Sequence, residues 1–133
     1  MAETGDDFWT LPGMPFIETP KDIMTVQAGL LDKHTNRMLV ASVATKAVGN
    51  TIAGNTIRVS FNIYVPGIQP GYEVELFYAS HDLTIYPAEI GGIITNSTIT
   101  CANAEDFKRE LRRLLSSDRT QNIISSLLNL ARS

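Results

Sequence analysis

The sequence predicts an α+β fold, an antiparallel sheet of about five to six strands followed by two C-terminal helices packed on one face. Three observations carry this reading. Ile57 to Val65 alternates without a break, with Ile57, Val59, Phe61, Ile63 and Val65 on one face and Arg58, Ser60, Asn62 and Tyr64 on the other. A one-residue slip would turn the whole apolar set outward, so the register of this strand is fixed. Pro66-Gly67 and Pro70-Gly71 then reverse the chain into Tyr72 to Ser80, the expected antiparallel neighbour. After Cys101 the apolar period changes from two to about 3.6 residues, the spacing of amphipathic helices.

Residues 1–7 are small and acidic, the composition of a flexible terminus, and residues 8–133 read as one α+β domain. Phe8 to Ile17 is dense in aromatic and aliphatic side chains, while Pro12, Pro15 and Pro20 oppose helix. Residues 8–20 are therefore expected to form an extended apolar arm that lies across its own domain or exchanges with a neighbouring subunit. Met24, Val26, Ala28 and Leu30 alternate with polar or small residues and read as a first strand. Asp32 to Arg37 reads as a hairpin connection, and Met38 to Ala47 as the paired strand. Val48 to Thr56 contains Gly-Asn-Thr twice and reads as a flexible connection; it lacks the lysine and the following helix of a phosphate-binding loop.

Tyr72 to Ser80 places Val74, Leu76 and Tyr78 on one face and Glu73, Glu75 and Phe77 on the other. Leu83 to Pro87 is a shorter run, Gly91-Gly92 breaks the chain, and Ser97 to Cys101 is the last strand. Asn103 caps a helix that turns Phe107, Leu111, Leu114 and Leu115 inward. Asp118 caps the next, with Gln121 completing a capping box, and the wide stripe of Ile123, Ile124, Leu127, Leu128, Leu130 and Ala131 predicts the more buried of the two.

Composition narrows the function. Charged residues make up 19% of the chain, below the usual quarter, which leaves less polar surface to cover the fold and points to a homo-oligomer or a protein partner. A net charge of -3 opposes general nucleic-acid binding, which needs a broad basic surface. The single cysteine, Cys101, has no disulfide or zinc partner and reads as a buried apolar residue. Without a signal-peptide core or a bilayer-length apolar run, a cytoplasmic protein with no membrane contact is expected. Asn96-Ser97-Thr98 matches the glycosylation pattern but has no secretory route to use it.

The candidate functional residues fall into two sets. Partner binding is assigned to Phe8, Trp9 and Phe16 of the arm and to Lys108, Arg109, Arg112 and Arg113 on the polar side of the first C-terminal helix. From Ala104 onward the balance is +2, against -5 for the remainder, although i,i+4 pairs such as Glu105 with Arg109 would neutralise part of it. The second set, His81, Asp82, Glu73, Glu75 and Tyr78, offers a turn His-carboxylate pair and a strip of strand carboxylates that a small molecule could use. No hydrolase, metalloprotease, dinucleotide or phosphate-loop motif is present, so no residue is assigned as catalytic and neither metal nor cofactor is expected. The expected function is a non-catalytic protein-interaction or self-assembling module. The alternative is a small-molecule binder or minor enzyme with a pocket between sheet and helices, lined by Tyr64, Tyr72, Tyr78 and Tyr86 beside the second set.

Overall fold

The first element is a helix, not the strand read from the alternation at 24–30. In the computed structural model, which describes residues 7–13, 16–51 and 54–132, the Thr19 hydroxyl accepts the Asp22 N–H at 3.1 Å. The Asp22 carboxylate accepts the Thr19 N–H at 3.1 Å, closing a capping box. Pro20 opens the helix because its ring presets a helical φ and it has no N–H to leave unpaired. In this helix, α1 (Pro20–His34), the buried residues are Pro20, Ile23, Met24 and Ala28, the last three at helical spacing, while Val26 and Leu30 are exposed. Met24 and Ala28 satisfy both periods, which is why the alternation misled.

Asp32 to Arg37 is accordingly the end of α1 and its exit turn, not a hairpin. Asn36 and Arg37 take left-handed dihedrals, φ 52 and 64, and feed the chain into β1 (Val40–Thr51). The Asp32 carboxylate reaches across this turn and accepts the Ala41 N–H at 2.6 Å, clipping α1 to the edge strand. Most of the expected 48–56 connection is strand: β1 continues to Thr51 and β2 (Gly54–Val65) begins after Ile52 and Ala53, which lie outside the described residues. Gly49 does adopt a glycine conformation, φ 82, where the register shifts between Val48 and Thr51. Residues 1–6, most of the expected flexible terminus, also lie outside the described residues.

β3 (Tyr72–His81), β4 (Ala88–Gly92) and β5 (Ile99–Cys101) complete a five-stranded antiparallel meander in the order β1-β2-β3-β4-β5. The β2 alternation holds: Val59, Phe61, Ile63 and Val65 are buried and Ile57 is half-buried. The β3 face assignment does not. Register passes from Phe61 opposite Phe77 to Asn62 opposite Glu75, so Leu76 is the extra residue of a bulge. Parity flips there, Leu76 and Phe77 are both buried, and Tyr78 joins Glu73 and Glu75 on the opposite face. Phe77 stacks on Phe61 with centroids 4.9 Å apart. Gly91-Gly92 completes β4 instead of breaking the chain; Gly92, φ 122, sits opposite Phe77, and a Cβ there would lie 2.6 Å from the Phe77 Cα.

Two further helices follow the sheet, α2 (Ala104–Leu115) and α3 (Asp118–Arg132). Asn103 caps α2 as expected, its side chain accepting the Asp106 N–H at 2.9 Å. For α3 the Ser117 hydroxyl accepts the Thr120 N–H at 3.3 Å, so Ser117, not Asp118, supplies the cap. The core is shared by the apolar face of β2 and by Met24, Phe107, Leu111, Leu114 and Leu127, which places the helices on one sheet face. α2, not α3, is the more buried: Phe107, Leu111 and Leu114 are covered, whereas the α3 stripe is mostly half-buried and Leu130 is 51% exposed. The reason is position, since α2 follows directly on β5 over the core and α3 packs outside it, against α2.

Two outcomes check this construction. Thr19→Ala should cost about 1 kcal/mol, read as a lower urea midpoint with an unchanged slope. Gly92→Ala forces a φ that alanine resists and a backbone overlap, so it should cost more than an overpacked core residue, about 1–3 kcal/mol; a wild-type midpoint would contradict the close approach.

Candidate functional site

A trough between α1 and α2 brings part of the first residue set together. Its floor is Ile23 and Leu111, both buried, its walls are Val26, Gln27 and Leu115, and its volume is about 480 Å³. Val26 is 60% exposed, an apolar side chain on the lip of an apolar groove. Helical spacing puts Ile23, Val26 and Gln27 on one side of α1, and Lys108, Leu111, Arg112 and Leu115 on one side of α2. Beyond Gln121 a second hollow of about 410 Å³ continues between Met38, Ile124 and Leu128, with Arg132 at its margin.

The rim of the trough carries Glu18 against Lys108 and Arg112, one acid to two bases. The Lys108 ammonium meets the Glu18 carboxylate at 2.5 Å, and this hydrogen bond raises the lysine pKa above its ordinary value. Arg109 and Arg113 are tied back along their own helix, to Asp106 at 2.7 Å and to Glu110 at 2.8 Å. The expected Glu105–Arg109 pair is not made; Asp106, three residues away from Arg109, is the partner, and Glu105 lies 3.9 Å from Lys108. The Arg109 guanidinium and the Ala102 N–H hold the Asp106 carboxyl below its ordinary range. Arg112 takes part in none of the ion pairs among the described residues and lines the trough. Of the four predicted cations, Lys108, paired with Glu18, and Arg112 line the groove, while Arg109 and Arg113 are paired beside it.

The arm stands in solvent rather than across its own domain. Phe8, Trp9, Leu11 and Phe16 are 78–87% exposed. Met14 and Pro15, also assigned to the arm, lie outside the described residues. The root of the arm is fixed twice, by the Glu18–Lys108 pair and by the Tyr86 hydroxyl, which donates to the Glu18 carbonyl at 2.7 Å. The trough begins at that root.

The second residue set lies elsewhere. Glu73, Glu75 and Tyr78 stand on the sheet face opposite the helices, so they do not border the space between sheet and helices, which the core fills. Glu75 is neutralised by Arg58 at 2.7 Å, and the same guanidinium sits 3.7 Å above the Tyr78 ring centroid. His81 directs Nδ1 to the Asp82 carbonyl at 2.7 Å, not to its carboxylate. That carboxylate accepts from the Thr84 hydroxyl and N–H, which hold its pKa below the ordinary value. The pair is a turn fastening rather than an acid–base dyad.

Sequence reasoning missed Glu18, Ile23, Val26, Leu115 and Gln121. The signal was Thr19-Pro20-Lys21-Asp22, a helix start that would have put Ile23, Val26 and Gln27 on one helix side.

Burial pushes the Cys101 thiol up to about 11 and the Tyr86 phenol up to about 12, from ordinary values of 9.0 and 10.0. Both are acids that the fold keeps protonated, so the unfolded chain releases their protons first. Their contribution to stability is complete below pH 9 and is lost as pH rises through about 11 and 12. The thermal midpoint should fall across that window, and Cys101→Ala should flatten the first part of the fall; an unchanged slope would contradict the buried-thiol assignment.

No helix among the described residues is long and apolar enough to cross a membrane. No protein-family model, curated protein or solved structure matches the chain.

Proposed function

We propose that this chain is a non-catalytic protein-interaction module that receives a partner in the α1–α2 trough and engages it with the apolar arm. One observation carries the reading: an arm whose Phe8, Trp9 and Leu11 are 78–87% exposed leaves the fold at the mouth of a largely apolar trough that none of the described residues fills. Burying an apolar side chain of this size contributes roughly 1.5–3 kcal/mol. Arm and trough together thus hold a large unspent driving force for association. Exposed apolar surface of this kind, rimmed by charge, is the mark of an interaction surface rather than of a resting monomer surface.

The small-molecule reading draws less support. Its residues are split between a sheet face where Arg58 occupies Glu75 and a turn where Thr84 occupies Asp82. Neither arrangement leaves convergent polar groups over an apolar cavity, which is what fixes a small ligand.

Replacing Phe8 and Trp9 together by serine should leave the thermal midpoint within a degree or so, because both side chains are already in water. The same variant should weaken association by at least about tenfold, followed by sedimentation velocity over a concentration series and by pull-down. Association that survives the double replacement would remove the arm from the proposal.

A further inference from the structure

We infer that the occupant of the trough is the arm of a second copy of this chain, exchanged in both directions to give a two-fold dimer. The inference rests on the interaction reading above and names its partner. Charge gives the first argument. Asp7 opens the described arm, Glu3 and Asp6 precede it in sequence, and no lysine, arginine or histidine occurs before Lys21. On the trough's rim Lys108 is matched by Glu18, which leaves Arg112, in none of the ion pairs among the described residues, as the net opposite charge, with Arg132 at the margin of the hollow beyond. An acidic, aromatic segment and a basic, apolar groove are complementary in both charge and polarity.

Chain direction gives the second. The trough runs from Glu18 past Ile23 to Gln27, alongside α1 and toward its C-terminal end. The residues before Glu18 join α1 at its N-terminal end, so an arm filling its own trough would have to turn back along α1. It would do so where Glu18 is held by Lys108 through its carboxylate and by Tyr86 through its carbonyl. A neighbour's arm meets no such reversal. Phe8, Trp9 and Leu11 are correspondingly undocked in the single chain. Each copy carries one arm and one trough, so reciprocal exchange between the same two copies closes the contact as a two-fold pair.

The test uses three preparations of the full chain. Wild type should sediment as a concentration-dependent dimer, and Arg112→Glu should weaken that dimer by at least about tenfold. Adding Asp7→Arg to the Arg112→Glu chain should restore it, which a merely structural effect of the arginine change would not do. Equimolar Thr10→Cys and Val26→Cys chains, mixed and oxidised, should yield a disulfide between one chain of each kind; Cys101 is fully buried and stays out of the exchange. A single chain carrying both cysteines that closes on itself at low concentration, in place of the mixed disulfide, overturns exchange in favour of an arm lying in its own trough. A monomer that still binds another protein through Phe8 and Trp9 overturns the dimer and leaves the interaction reading standing. A monomer with no arm-dependent binding of any kind overturns both.

Discussion

The constraint on which the rest of the structure depends is the single-faced burial of β2. Val59, Phe61, Ile63 and Val65 point into one core, and their strand is paired on both sides, so β1 and β3 inherit a register that cannot slide. The bulge at Leu76 is how β3 meets that requirement. It lets two consecutive apolar residues be buried and puts Phe77 opposite Phe61, where the rings stack. Gly92 then yields its side chain so that β4 can lie against Phe77. Each adjustment outward from β2 is a response to the same buried face.

The helices take their places from that core and, in doing so, leave the trough. Ile23, Met24 and Ala28 hold α1 down on one side, and Phe107, Leu111 and Leu114 hold α2 down on the other. Neither set reaches far enough round its helix to close the gap between them. Val26 and Leu115 therefore line an open groove rather than a seam. The electrostatics sort the neighbouring cations by position: Arg109 and Arg113 pair with acids on their own helix, Lys108 pairs across to Glu18 at the root of the arm, and Arg112 is left in none of the ion pairs among the described residues.

What could be read from the sequence follows from how many constraints acted on each stretch. β2 was legible because five apolar and four polar residues agree on one period. α2 was legible because a good N-cap and a 3.6-residue stripe agree with each other. α1 was not, because Met24 and Ala28 fit either period and Pro20, which opposes helix in an interior, stands at the one helical position that favours it. The Leu76 bulge had no local signature; it exists to satisfy a partner strand that the chain reaches only after folding. The candidate surface was half legible for the same reason. Exposed aromatics and a run of cations can be seen in a linear sequence, whereas Glu18 and Val26 matter only once α1 lies beside α2.

The trough is a composite of α1, the first helix in chain order, and α2, which follows all five strands. Every strand pairs with its immediate sequence neighbour, so the meander can form progressively as the chain lengthens. On a ribosome, with N-terminal parts emerging first, the aromatic arm appears before either wall of the groove and waits through the whole sheet for the second wall. A nascent chain stopped before Ala104 would carry the exposed aromatic arm without the second wall of the trough. The trough is thus completed only once α2 has formed, after all five strands.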